Sequence, residues 1–129
     1  MSIHVGWGNE AQTLLVMKVH EPYTADEFVD GVEAINALMG MVDHRVCPAV
    51  DFSTARTLPM GALANYRRIA SKMGHPNSTG GLIVIGAHRT VQSLLEIFSK
   101  VFRKIDYAET LEEARALVGE GNSSTPGED

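Results

Sequence analysis

Among the side chains that could do chemistry in this 129-residue chain, Asp51 stands first, because it closes the apolar run Val46 to Phe52 and opens the polar stretch Ser53 to Thr57. A carboxylate at the end of a central strand can act as a phosphoryl acceptor when other acidic groups hold magnesium beside it, since that ion wants several oxygen ligands. The first strand-like run offers His4, Val5 and Gly6 where such an acidic pair would stand. Asp51 is therefore expected to shape or dock, not to react. His4, His20, His44, His75 and His88 show neither HxH nor HxxxH spacing, so no metal centre is predicted. His88 differs from the others, because it follows Gly86 at the end of another apolar run and should come near Ser53. Cys47, beside Pro48 at the start of its run, reads as a small apolar residue. No serine sits in a GxSxG elbow, and Gly80 and Gly81 precede a strand-like run, not a helix, so neither a nucleophile nor a phosphate loop is marked. The chain is read as non-enzymatic, without metal or cofactor.

The elements that must position these residues follow from periodicity and punctuation. Val46 to Phe52 is short, apolar and bounded by Arg45 and the Ser53/Thr54 turn signal, which predicts a buried strand. Pro59 suits the first turn of a helix, so a helix should begin near Thr57 or Leu58 and run to about Met73, where Gly74, His75, Pro76 and Asn77 stop it. Upstream, Ile3 to Trp7 and Gln12 to His20 predict an antiparallel hairpin that puts Trp7 close to Gln12. Leu14 to Val19 is apolar on both alternating faces, so the second strand should be the more central. Thr24 with Glu27 matches a capping box, opening a helix to about Met41 whose stripe is Phe28, Val32, Ile35 and Met39. Leu82 to Gly86 predicts a strand, His88 to Phe102 a helix, Ile105 to Ala108 a brief strand, and Thr110 with Glu113 a second capping box. The fold class expected is α/β: a single, mostly parallel five-stranded sheet with an antiparallel edge strand and four helices. Residues 1–118 form one domain, and 119–129 a disordered acidic tail.

Composition narrows the partners. With 11 basic against 16 acidic residues the formal charge is −5, which argues against a broad nucleic-acid surface or a polybasic membrane patch. No apolar run approaches the ~18 residues of a membrane helix, and the single cysteine excludes an internal disulfide, so a cytoplasmic location is expected. The open edge of the first strand, and Ile97 at the margin of the third helix's stripe, favour a homodimer over a monomer.

The element order, with a strand ending in Asp51 that leads through a polar loop to Leu58-Pro59 and then Gly61, Ala62 and Leu63, resembles the STAS-like fold of anti-sigma-factor antagonists. Within that group it is most similar to small stand-alone SpoIIAA-like proteins of bacteria, over roughly Ile3 to Val118. The resemblance implies a non-enzymatic regulatory module that docks on a protein partner through this corner, in some members gated by phosphorylation of a hydroxyl there. Here the position for that hydroxyl falls on Gly61. The partner-binding set expected is Asp51, Ser53, Thr54, Arg56, Thr57, Met60, Gly61 and His88, with Arg56, Arg67 and Arg68 as a local basic patch suited to an acidic segment. The alternative is a carrier for a small apolar ligand or lipid, with Met60, Met73 and the third helix lining a cavity. An enzyme of unknown type stands third.

Overall fold

Strand-forming runs in the first twenty residues fold back on each other as a hairpin, and the rest of the sheet grows from its second strand. The computed structural model describes residues 3–55, 66–96, 102 and 104–123. Within them lie β1 (Ile3–Trp7), β2 (Leu14–His20), α1 (Ala25–Met39), β3 (Cys47–Thr54), α2 (Tyr66–Ala70), β4 (Gly81–Ile85), α3 (Arg89–Leu95), β5 (Lys104–Ala108) and α4 (Leu111–Ser123). The strands lie in chain order, β1-β2-β3-β4-β5, with β1 antiparallel to β2 and every later pair parallel. This is the α/β class and layout expected from the sequence.

A sheet that grows in one direction through right-handed crossovers puts every crossover helix on one face. Accordingly, Leu15, Met17 and Val19 of β2, Val50 and Phe52 of β3, and Leu82 and Val84 of β4 share a core with Phe28, Val32 and Ile35 of α1, Ile69 of α2, and Val91 and Leu95 of α3. α4 follows the last strand and crosses to nothing, so it is free to take the opposite face. There Ala114, Leu111 and Val118 pack on Leu14, Ala49, Ile83, Ile85 and Ala108. Strands β2, β3 and β4 are thus apolar on both faces, as sequences of buried parallel strands must be. α4 reaches the hairpin at its turn, where Arg115 Nε donates to the Gly8 carbonyl at 2.6 Å, and Lys18 and His4, further along that face, are exposed.

Local chemistry sets several boundaries differently from the periodicity. Gln12 has a positive φ of 57°, and Asn9 Oδ1 accepts the Thr13 and Leu14 N–H groups, so β2 starts at Leu14, not Gln12. In consequence Trp7 pairs with Leu15, not with Gln12. β3 runs two residues past Phe52, because Thr54 is still paired with His20 after a register shift. The Thr24 capping box is complete, with Glu27 N–H donating to Thr24 Oγ1 at 3.1 Å and Thr24 N–H to Glu27 Oε1 at 2.9 Å. α1 ends at Met39, two residues before the expected Met41. The second box forms by half: Thr110 Oγ1 accepts Glu113 N–H, but the Glu113 carboxylate takes the N–H of Glu109. α4 continues to Ser123, past the boundary expected at Gly119. The start of the second helix, including Pro59, the distal part of the third with Ile97, and residues 124–129 lie outside the described residues.

Candidate functional site

The carboxyl ends of β2, β3 and β4 form the candidate site, the edge where ligands and partners meet open α/β sheets. Asp51 lies in register between Lys18 of β2 and Ile85 of β4. It is only 9% exposed, and its Oδ1 accepts the N–H of Ser53 at 2.8 Å, a side-chain turn two residues long that aspartate favours. Ser53 and Thr54, the last two residues of β3, are exposed.

The neighbouring strand closes on this turn. Gly86, just past the end of β4, has a φ of +65°, and a Cβ at that position would lie 2.9 Å from Ser53 Cβ and 3.0 Å from Ser53 Cα. Both facts demand glycine, one from backbone conformation and one from space. Asp51, Ser53 and the end of β4 are therefore brought together. His88, two residues further on, is exposed and caps α3: its carbonyl accepts Gln92 N–H at 3.0 Å and its Nδ1 accepts Thr90 N–H at 3.3 Å. Of the remaining expected positions, Arg56, Thr57, Met60 and Gly61 lie outside the described residues.

Electrostatics alter one expectation. Arg68 donates through Nη1 to Asp26 Oδ1 on α1 at 2.6 Å, so it is paired within the fold and does not belong to an open basic patch. Both groups are well exposed, and such pairs contribute little to stability. Lys72 pairs similarly with Glu33 at 3.0 Å. Arg67 is exposed.

On the hairpin side the structure groups residues that spacing did not. Thr54 Oγ1 donates to the Val19 carbonyl at 3.0 Å and lies 2.9 Å from Nδ1 of His20. The His20 ring stands edge to face with His4, centroids 5.9 Å apart and planes 78° apart. The signal for this cluster was the hairpin register: with His4 opposite Lys18, His20 becomes its diagonal neighbour.

Two cavities lie away from this edge. One, of about 50 Å³, sits between α1 and the sheet among Met17, Phe28, Val32, Ile35, Phe52, Met73, Leu95 and Phe102, with Asn36, His75 and Ser78 as polar neighbours. Of the lining expected for a carrier, Met73 and Leu95 of α3 border this cavity, and Met60 lies outside the described residues. The other, of about 240 Å³, lies at the opposite end of the strands between Thr13, Arg45, Cys47, Thr79, Asp106 and Leu117. Burial pushes the Cys47 thiol up to about 11, with the Asp106 charge adding to the rise and a Thr79 hydrogen bond opposing it. A thiol that stays protonated is a poor nucleophile. Among the described residues no group of three or more His, Cys, Asp or Glu side chains could hold a metal ion, and no helix is long and apolar enough to cross a membrane.

Comparison with protein-family models, with curated proteins and with solved structures finds no match to this chain.

Proposed function

We propose that the chain is a non-enzymatic regulatory or protein-interaction module of the STAS-like type, which docks on a protein partner through the loop and helix that follow β3. The observation that carries the reading is the use of Asp51: its carboxylate is buried and committed to the Ser53 N–H, so it builds the corner while Ser53 and Thr54 face outward. Residues at such a rigidly held strand end are well placed for recognition, because the scaffold orders them before the partner arrives. His88 adds a second exposed polar group on the next strand's turn. Arg56, Thr57, Met60 and Gly61 extend the proposed surface along the chain.

A second reading, a carrier of a small apolar ligand, is favoured by the cavity beneath α1. Its 50 Å³ exceeds the roughly 10–15 Å³ a water molecule needs but is far below the ~300 Å³ of ordinary ligand pockets, so a lipid would have to open it. Native mass spectrometry of protein purified from its own host separates the two. A co-purified protein that is lost in a Ser53→Arg, His88→Ala variant supports docking. A retained small-molecule mass that survives those changes and disappears in Val32→Phe supports the carrier and overturns the docking reading.

A further inference from the structure

We propose that His4 and His20 form a binding site for a divalent transition metal of the zinc type, held on the uncovered face of the hairpin. The Thr54 hydroxyl lies within hydrogen-bond distance of both the Val19 carbonyl, at 3.0 Å, and His20 Nδ1, at 2.9 Å. The hydroxyl has one proton and a carbonyl can only accept, so with both hydrogen bonds made the hydroxyl donates to Val19 and accepts from Nδ1–H of His20. In that arrangement neutral His20 carries its proton on Nδ1 and its lone pair on Nε2.

This is the arrangement metal-binding histidines use: the nitrogen away from the metal donates to a fixed acceptor, which sets the tautomer and orients the ring. A second imidazole is in place. His4 is exposed, and its ring centroid is 5.9 Å from that of His20 with the planes nearly perpendicular. Two imidazoles sharing one zinc at the usual Zn–N length of about 2.0–2.1 Å put their ring centres roughly 5–6 Å apart. The observed centroid separation lies within that range. No third His, Cys, Asp or Glu joins them among the described residues, so water fills the remaining positions. Lys18, directly opposite His4 and exposed, places a positive charge beside the site. Imidazole ligands without a carboxylate favour zinc-like ions over magnesium or calcium.

The test is calorimetric titration of the tag-free, chelator-treated full chain with zinc chloride. One zinc per chain, with affinity in the micromolar range, is expected. His4→Ala and His20→Asn should each weaken it at least tenfold, and His44→Ala should leave it unchanged. Thr54→Val, which removes the acceptor for Nδ1–H, should weaken it about 10-fold or more, the usual effect of losing such a partner. Nitrogen NMR of the imidazoles provides a second measurement that needs no metal, and His20 should appear as the Nδ1–H tautomer. Absence of a saturable site in the wild type, binding undiminished in His4→Ala or His20→Asn, or an Nε2–H tautomer for His20 would each overturn the proposal.

Discussion

Replacing Gly86 by alanine should destabilise the fold by about 2–5 kcal/mol, and a matched substitution divides that cost into its two causes. At φ +65° an L side chain meets the left-handed penalty, which is roughly 1–2 kcal/mol. The added methyl would also stand 2.9 Å from Ser53 Cβ and 3.0 Å from Ser53 Cα, closer than carbon atoms tolerate. One of those neighbours is backbone of a central strand, which cannot swing aside, so an overpacking cost of about 1–3 kcal/mol is added. Gly74 is the control, because its φ is +88° and a Cβ there meets nothing within 4 Å. Gly74→Ala should therefore show the conformational part alone, about 1–2 kcal/mol. Urea unfolding measures both, with equal slopes licensing the comparison of midpoints. If Gly86→Ala costs no more than Gly74→Ala, the close approach of β4 to Ser53 does not exist as described, and the corner is not held by its neighbour. The proposed docking adds a second readout: a methyl that displaces Ser53 should weaken partner capture, whereas Gly74→Ala should not.

Thr24→Ala removes the side chain that caps α1 and should cost about 1 kcal/mol in thermal or urea unfolding, as loss of an N-cap usually does. Asp51→Asn keeps an oxygen acceptor for the Ser53 N–H and should be nearly neutral, whereas Asp51→Ala removes it and should cost about 1 kcal/mol; equal costs would show that the hydrogen bond does not hold the corner. Cys47 loses its proton near 9 in the unfolded chain and at about 11 in the fold. The unfolded state therefore binds fewer protons between those values, and stability falls as pH rises from about 9 through 11, by on the order of 2 kcal/mol. Tyr23 and Tyr107 are also raised by burial and act in the same direction, so the measurement is the difference between wild type and Cys47→Ala, which should lose part of the alkaline slope. Alkylation of Cys47 by iodoacetamide should be slow at pH 8 in the folded protein and fast in urea.

What the sequence disclosed was what depends on near neighbours along the chain. The two-sided apolar run Leu14 to Val19 announced a central strand, and Thr24 with Glu27 announced a helix start, since each signal acts over a few residues. The bond from Ser53 N–H to Asp51 is equally local, but the Ser53/Thr54 turn signal gave the strand's end two residues early. Long-range register was hidden. β3 extends to Thr54 only because His20 lies beside it, and Arg68 is neutralised only because the packing of α2 on α1 brings it to Asp26, 42 positions away. The second capping box formed only by half, through a choice between two adjacent amides, Glu109 and Thr110, that no spacing rule distinguishes.

The same distinction explains why the metal site escaped a search by spacing. Metal-ligating histidines are recognised in sequence when one helix or strand carries both, and His4 and His20 are on different strands. Their approach is set by Asn9, whose side-chain Oδ1 accepts the Thr13 and Leu14 N–H groups and so starts β2 at Leu14. A slip of the hairpin by one residue would turn one ring to the opposite face of the sheet, because side chains alternate with period two. Only then does Thr54, arriving on a third strand, find His20 Nδ1. Three strands must be in register before one proton is assigned, so this site is a property of the assembled sheet. Asn9→Ala should accordingly weaken zinc binding without touching either ligand. Binding that persists at wild-type strength in that variant would show that the pair forms without the register, and the chain of cause argued from Asn9 to Thr54 would fail.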